Sequence, residues 1–368
     1  MIRHKNKPKV LIVDDIAENL QILMGTLKDD FSVIAAKNGE TALRLANTNP
    51  KPDAILLDIM MPGMDGYEVC LKLKANPDTW DIPVLFVTAL DQMDDEARGL
   101  TVGAVDFITK PFQPELVRAR VQSQIELKQH KNQLEELVKQ RTAELQLTQD
   151  VTIFTLANLA EARDPETGGH IKRTQNYVRL LAEQLRTHPR FKNDLTAEVV
   201  ELLYKSAPLH DIGKVGVADH ILLKPGRLTD DEFKEMKKHS VYGWNALKSA
   251  QKHLGSSSFL RYAGEITLSH HEKWDGTGYP KKLKGEAIPL SGRLMALADV
   301  YDALISKRVY KPPFSHDKAK AIIEEGRDSH FDSDIVDGFL AIHEQFRQTG
   351  ITYADSQEER DALVGNSD

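Results

Sequence analysis

One long stretch divides the chain into two parts. It contains no glycine, and its only proline is at its first position. It runs from Pro114 to about Arg163 and is rich in charged residues, glutamine and leucine. Since glycine and proline are the residues that most readily interrupt a helix, this composition predicts one long helix. At 1.5 Å per residue, positions 114–150 would span roughly 55 Å, and such a rod can carry a rotation or a change of register.

The apolar positions of this stretch favour pairing with a second helix. Leu127, Leu134, Val138 and Leu145 recur at the a and d spacing of a heptad, although two basic residues interrupt the pattern. We therefore predict that residues 114–160 form a connector that joins two protomers as a parallel coiled coil. A single amphipathic helix packed on its own domain is the alternative, and the basic residues in the seam leave it open.

Before the connector, short apolar runs alternate with segments that have the composition of helices. The apolar runs are bounded by polar or turn residues and lie at 10–13, 54–57 and 84–87. Runs of this kind are typical of strands that are buried on both faces of a parallel sheet. The predicted helices between and after them lie at 16–28, 39–47, 65–76 and 91–101. This alternation predicts a doubly wound α/β domain.

Polar residues stand where the predicted strands end. Asp14 and Asp15 follow the first strand, Asp58 the second and Thr88 the third, and Lys110 follows a further short apolar run. Ligands of such folds bind at this edge of the sheet. Three converging carboxylates favour a hard cation such as Mg²⁺, and an aspartate so placed can accept a phosphoryl group. The alternative is that these carboxylates lie in loops and share no site. It is disfavoured because suitable residue types occur at all five positions.

Residues 8–125 resemble the receiver domain of response regulators, a flavodoxin-like domain with a five-stranded parallel sheet. The motifs that carry the resemblance are Asp14-Asp15, Asp58 within the run 57–63, Thr88-Ala89 and Lys110-Pro111-Phe112. The resemblance implies a cognate sensor histidine kinase as partner.

The same resemblance implies a role for each of these residues. Asp58 would be the phosphoacceptor and would hold Mg²⁺ together with Asp15, with Asp14 in support. Thr88 would contact the phosphoryl group, and Lys110 would balance the remaining charge. A further position is Phe107, which would be the aromatic switch residue, with an ordinary core residue as the alternative.

The chain after the connector, at about 151–345, is predicted to be entirely helical. Amphipathic segments recur at 150–163, 170–187, 196–211, 230–250, 259–272, 291–306 and 316–326. Residues 350–368 form a polar tail to which the sequence assigns no role.

Potential metal ligands recur across this helical part. The adjacent pair His210-Asp211 follows the apolar stretch 199–204, which predicts that it lies on a helix wall. Asp299 has apolar neighbours, which predicts that it is buried. The complete set of candidate ligands is Glu166, His170, His210, Asp211, His239, His270, His271 and Asp299.

Taken singly, each candidate ligand has an ordinary interpretation as a surface residue, a helix cap or a salt-bridge partner. Together they offer nitrogen and oxygen atoms and no cysteine, which is typical of catalytic rather than structural sites. Eight ligands suit two or three divalent transition metals that share bridging carboxylates, with Fe, Mn, Zn and Ni all compatible.

A loop that follows the histidine pair, at 270–280, is the most specific motif. Gly276 and Gly278 allow positive φ angles and close backbone approach, and Pro280 stiffens the exit. Residues 151–345 resemble the HD-GYP family of HD metal-dependent phosphohydrolases. The motifs are 210–214, Lys224-Pro225-Gly226, Gly278-Tyr279-Pro280 and the run 299–304. A receiver followed by this domain resembles the RpfG-type response regulators.

This second resemblance implies a substrate and the residues that bind it. The substrate is cyclic di-GMP, hydrolysed to linear pGpG, with further cleavage to GMP left open. Asp211 would be the bridging and catalytic carboxylate, and Glu166 favours three metals over two. The residues implied to contact substrate are Lys214 at the scissile phosphate, Tyr279, Arg308 and Lys311. A solvated basic turn is the alternative for the last two.

The expected function is therefore a response regulator in which phosphorylation of Asp58 controls cyclic di-GMP hydrolysis, with the sign of the control left open. A phosphorylation-gated protein-interaction module with weak or no hydrolysis is one alternative. An HD phosphohydrolase acting on another nucleotide is the other. The retained ligands and Lys214 favour an enzyme.

Composition excludes several other classes. The chain has 368 residues, of which 41% are hydrophobic, and this suffices for two packed domains. A net charge of −7 argues against DNA binding, and the single cysteine, Cys70, fits a reducing cytosol. The N-terminus lacks a signal peptide, and no apolar run approaches a membrane helix. We expect a soluble, cytoplasmic protein that binds neither DNA nor membranes.

Overall fold

A computed structural model describes residues 7–89, 99–162, 168–254, 259–307 and 312–365. Three predicted site residues, Glu166, Arg308 and Lys311, lie outside this described part, as does most of the helix predicted at 91–101. The chain divides into two compact units, Met1–Ala143 and Glu144–Asp368.

The first unit contains a five-stranded parallel sheet, which confirms the predicted doubly wound α/β fold. Its strands are β1 (Lys9–Val13), β2 (Ser32–Ala36), β3 (Ala54–Asp58), β4 (Val84–Ala89) and β5 (Asp106–Lys110). They are ordered β2-β1-β3-β4-β5. Helices α1 (Ala17–Leu27), α2 (Gly39–Ala46) and α3 (Gly66–Ala75) connect the first four strands.

Both faces of this sheet are covered, which explains the continuous apolar runs in the sequence. Leu11 and Ile55 contribute to a core on one face, and their neighbours Ile12 and Leu56 contribute to a core on the other. The edge strand β2 is only partly buried, and its sequence therefore lacks such a run.

The predicted long helix is confirmed. Helix α4 (Pro114–Glu161) is uninterrupted over 48 residues. Its first turns bury Val117 and Val121 in the core of the first unit. Near its other end, Ala157 and Ala160 are buried in the second unit. Between these ends the predicted seam is solvent-exposed, and the exposed fractions of Leu127, Leu134, Val138 and Leu145 are 66%, 62%, 56% and 70%.

The described elements of the second unit are helices and short 3₁₀ turns. The helices are α5 (Gly168–Leu185), α6 (Ala197–Ser206), α7 (Asp219–Leu222), α8 (Asp230–Met236), α9 (His239–Leu254), α10 (Phe259–Ser269), α11 (Leu290–Ile305), α12 (His316–Glu325), α13 (Ser333–Thr352) and α14 (Gln357–Val364). Tyr177, Tyr301 and Phe346 pack together at the centre, with Tyr177 and Phe346 stacked 4.4 Å apart. None of the helices among the described residues is long and apolar enough to cross a membrane.

Several predicted helix boundaries in this unit were wrong. The segment 196–211 leaves the α-helical conformation after Ser206, because Pro208 lacks the N–H that would continue the hydrogen-bond ladder. The segment 230–250 consists of two helices, α8 and α9. Helix α13 was not predicted, and α14 lies within the polar tail at 350–368, where Leu363 is buried.

Candidate metal centres

The three aspartates at the carboxyl edge of the sheet lie together, as predicted. Asp14 and Asp58 are buried, Asp15 is exposed, and one ligand atom from each lies within 4.8 Å of the others. The ammonium group of Lys110 donates to Asp14 and to Asp58, at 3.0 Å in both cases. Burial raises the pKa of Asp58 to about 6, although its hydrogen bond with Lys110 opposes this shift. The arrangement can hold a hard cation beside a lysine.

The other two predicted receiver residues border this edge. Thr88 pairs with Thr109 of β5, and its hydroxyl donates to the carbonyl of Ala89 at 3.2 Å. The ring of Phe107 is half-buried and lies 6.0 Å from that of Phe86. The phosphoryl contact of Thr88 and the switch role of Phe107 stay predictions.

His210 and Asp211 do not lie on a helix wall, which corrects the prediction. They are situated between two 3₁₀ turns, Ala207–Leu209 and Ile212–Gly216. The second turn packs closely on α9, because a Cβ atom at Gly213 would lie 1.9 Å from the carbonyl oxygen of His239. The missing side chain at Gly213 therefore lets the elements that carry Asp211 and His239 approach each other.

Four of the five candidate histidines are oriented alike. In three of them Nδ1 donates to a nearby backbone carbonyl: His210 to Ala207, His239 to Met236 and His270 to Ile266, at 2.8–3.0 Å. In His170, Nδ1 bonds to Asp302 at 2.8 Å. A hydrogen bond at Nδ1 fixes the tautomer in which Nε2 carries a lone pair, as is usual for histidines that bind metals.

These ligand atoms form two adjoining groups within the second unit. One contains Asp211, His239, His270 and His271, and the other contains Glu161, His170 and His210. Asp211 connects the groups: its Oδ1 lies 3.3 Å from Nε2 of His239, and its Oδ2 lies 3.4 Å from Nε2 of His210. Asp211 therefore lies between the two groups, and its role as a bridging ligand stays a prediction.

The chemistry of the site fits divalent cations. Four buried atoms make no hydrogen bond among the described residues, namely Asp211 Oδ1, His270 Nε2 and both carboxylate oxygens of Glu161. Burial lowers the pKa of His270 and holds that of His271 well below its usual value, so both imidazoles are neutral ligands. Burial opposes ionisation of Asp211, yet Lys214 and His210 hold the pKa of this carboxyl well below its usual range. Unpaired acceptor atoms at such density need cations.

A cavity of about 410 Å³ borders the first group. His270, His271, Tyr279 and Asp299 line it, and the ring of Tyr279 lies 4.7 Å from that of His271. Asp299 is half-buried rather than buried, and it is not a member of either ligand group. The predicted burial was wrong because Asp299 faces the cavity, whereas the apolar residues beside it face the core.

The loop after the histidine pair uses both of its glycines as expected. Gly276 has a φ of +85°. A Cβ atom at Gly278 would lie 2.4 Å from the backbone nitrogen of Lys273. The buried carboxylate of Glu272 accepts hydrogen bonds from the backbone N–H groups of Lys281 and Leu283. These contacts hold Tyr279 at the cavity.

Two buried carboxylates were missed by the sequence analysis. Asp302 follows Asp299 by one helical turn, is fully buried, and accepts two hydrogen bonds from the guanidinium of Arg173, at 2.7 and 3.0 Å. Burial alone would raise the pKa of Asp302, but Arg173 and His170 lower it to about 2. The apolar neighbours of Asp302 were a signal of burial, but Asp299 shares that signal.

Glu161 is the second of these missed residues. It ends α4 and is buried beside His170, and burial raises its pKa to about 7. No sequence signal marks Glu161, because it stands within the connector pattern.

Comparison with known proteins gives two domain families and several relatives. Residues 10–122 match the response regulator receiver domain family, and residues 155–335 match the HD domain family. A probable cyclic di-GMP phosphodiesterase of Vibrio cholerae is 48% identical, over 95% of this chain and 80% of its own length. The cyclic di-GMP phosphodiesterase response regulator RpfG of Xanthomonas campestris is 38% identical, over 80% and 77% respectively. A 3'3'-cGAMP-specific phosphodiesterase of Vibrio cholerae is 37% identical, over 55% of this chain and 36% of its own.

Proposed function

Because the chain belongs to the family of response regulators that join a receiver domain to an HD phosphodiesterase domain, we propose that it hydrolyses cyclic di-GMP under the control of phosphorylation at Asp58. The observation that carries this proposal is the position of Asp211 between two groups of inward-facing imidazoles. A bridging carboxylate among imidazoles is the donor set that metal-dependent phosphoesterases need.

The residues divide into those that would hold cations and those that would hold substrate. We propose that His239, His270, His271 and Asp211 hold one cation, that His170 and His210 hold another with Asp211 between them, and that Asp299 adds a ligand from the cavity side. Glu166 would support a third ion. When bound, Fe, Mn, Zn or Ni would acidify water and neutralise phosphate oxygens.

The charged residues of the chain would complete this chemistry. The ammonium of Lys214 lies 2.9 Å from Oδ2 of Asp211, where it can approach a phosphate bound at the bridge and stabilise negative charge in the transition state. Tyr279 would contact substrate from the cavity wall. Burial raises its pKa, so the phenol remains a hydrogen-bond donor at neutral pH. Arg308 and Lys311 would bind substrate phosphate.

We propose that the receiver binds Mg²⁺ through Asp15 and Asp58 and takes its phosphoryl group from a sensor histidine kinase. Phosphorylation adds charge where Asp14 and Lys110 already form a compact network. The helix α4 begins four residues after Lys110 and would carry the change to the second unit.

A product assay on the full-length protein tests the function. We expect the protein reconstituted with Mn²⁺ or Fe²⁺ to convert cyclic di-GMP to pGpG, with 3'3'-cGAMP turned over more slowly. Beryllofluoride with Mg²⁺ should change the rate for the natural sequence and leave that of Asp58→Asn unchanged. Faster turnover of 3'3'-cGAMP would favour the other-nucleotide alternative. If the protein turned over no substrate with Fe, Mn, Zn or Ni, the protein-interaction alternative would be favoured.

We further propose that α4 pairs with the same helix of a second protomer through the exposed seam of Leu127, Leu134, Val138 and Leu145. Apolar side chains exposed at this spacing lose contact with water when two helices pair. We expect Leu134→Asp to convert a dimer to a monomer in light scattering. Gln133→Asp places the same charge outside the seam and should remain dimeric, and a monomeric natural sequence would contradict the proposal.

A further inference from the structure

The last residue of the connector helix lies inside the metal-binding region. The side chain of Glu161 is 4% exposed, and its Oε1 lies 3.9 Å from Nε2 of His170. A ligand atom of Glu161, one of His170 and one of His210 all lie within 4.8 Å of one another. Three potential ligands therefore converge from α4, α5 and the turn that carries His210.

The atoms that meet at this point are potential ligand atoms of Glu161, His170 and His210. Neither carboxylate oxygen of Glu161 receives a hydrogen bond within the described part of the chain. Nδ1 of His210 donates to Ala207 and Nδ1 of His170 bonds to Asp302, so Nε2 is the ring atom that each imidazole turns towards this point. The two Nε2 atoms lie 3.2 Å apart. Two imidazole nitrogens at this distance, beside a buried carboxylate, form an arrangement that a bound cation would stabilise.

We propose that Glu161 is a ligand of the cation held by His170 and His210, so that the connector helix ends in the metal centre. Two nitrogen atoms and one carboxylate oxygen are a donor set that divalent transition metals accept. The regulatory meaning of this assignment rests on the proposed function, whereas the ligand assignment does not. Glu166 is a competing ligand that experiment can separate from Glu161.

The consequence is that the receiver acts on the number of bound ions or on their affinity. Helix α4 is continuous from Pro114, and its first turns bury Val117 in the receiver core. A carboxylate ligand must lie about 2.0–2.2 Å from its metal. A shift of α4 along its axis by one residue, about 1.5 Å, is enough to break this bond. Phosphorylation of Asp58 would thus change the metal centre without a separate transmitting element.

Metal binding by the full-length protein tests the ligand assignment. Chelator-treated protein is titrated with Mn²⁺, and bound ions per chain are counted by equilibrium dialysis and mass spectrometry. We expect Glu161→Gln to lose one ion or to bind it at least about 10-fold more weakly, since even outer-shell changes cost about 10–100-fold. The matched control is Glu136→Gln, an exposed position on α4, and it should bind like the natural sequence. Glu166→Gln is titrated in parallel.

If Glu161→Gln bound Mn²⁺ like the natural sequence while Glu166→Gln lost an ion, the assignment would be overturned. Thermal unfolding separates a ligand from a structural residue. Without metal, Glu161→Gln should melt at or above the natural melting temperature, because a neutral amide replaces an uncompensated carboxylate and can donate to Nε2 of His170 or His210. With Mn²⁺, its gain in melting temperature should be smaller than that of the natural sequence. A lowered melting temperature without metal, with unchanged metal affinity, would mean a structural role and refute the proposal.

The regulatory part is tested by repeating the titration with beryllofluoride and Mg²⁺. We expect a several-fold change in Mn²⁺ affinity in the natural sequence and no change in Glu161→Gln. If the natural sequence bound Mn²⁺ with equal affinity in the presence and absence of beryllofluoride, coupling through this ligand would be refuted. Because no titration uses cyclic di-GMP, an enzyme that failed to hydrolyse it would contradict the proposed function and leave the ligand assignment intact.

Discussion

Asp211→Asn is expected to reduce hydrolysis of cyclic di-GMP by more than about 100-fold, because a first ligand should matter more than the outer-shell partners that cost about 10–100-fold. The substitution keeps the shape of the side chain and removes its charge. The bridge between the two imidazole groups depends on that charge, since both oxygens of Asp211 face nitrogen atoms at 3.3–3.5 Å. Rate and bound metal should therefore fall together, as steady-state assays and metal analysis of the same preparation can show.

A matched control is Asp231→Asn, which makes the same chemical change at a solvent-exposed position that pairs with Lys234. It should leave both metal content and turnover unchanged. If Asp211→Asn retained the natural rate, the proposed role of Asp211 as a metal ligand would be contradicted. A second readout is the melting temperature in the presence of chelator, which separates loss of metal from loss of fold. Asp211→Asn should give a smaller rise in melting temperature on metal addition than the control.

The parts of the fold that could be predicted are those in which burial imposes a local pattern. Strands covered on both faces must be apolar throughout, so the runs at 10–13, 54–57 and 84–87 were sufficient to identify β1, β3 and β4. The connector was predictable because its helical state follows from composition. Strand β2 lies at the edge of the sheet, where partial exposure removes the pattern.

The sequence predicted which types of residue form the site better than it predicted which individual residues belong to it. The histidines and Asp211 were identified because adjacent pairs such as His210-Asp211 and His270-His271 stand within recognisable motifs. Asp299 and Asp302 lie one helical turn apart in the same apolar helix, and only tertiary packing shows that Asp302 is the fully buried one. Glu161 approaches His170 only in the folded chain, through a tertiary contact that no local pattern encodes.

Arg173→Met is expected to lower the free energy of unfolding by about 3–5 kcal/mol, because it leaves the buried carboxylate of Asp302 without its cation. Arg173 is only 2% exposed and also donates to the backbone carbonyl of Tyr353 and to Asp355. Asp302 in turn orients His170, so the variant should also bind metal more weakly. Chemical denaturation of the metal-free protein measures the first effect, and Mn²⁺ titration measures the second.

The pH dependence and a double substitution identify the cause of this loss. Since the folded pKa of Asp302, about 2, lies below its ordinary value of 3.8, the pair stabilises the natural sequence above pH 4, and this contribution is lost as the pH falls towards 2. Arg173→Met should therefore lose less stability on acidification than the natural sequence does. Adding Asp302→Asn to Arg173→Met removes the uncompensated charge and should restore part of the stability. If the double variant were as unstable as the sum of the two single variants, the buried charge would not be the cause, and packing of the arginine stem would account for the loss instead.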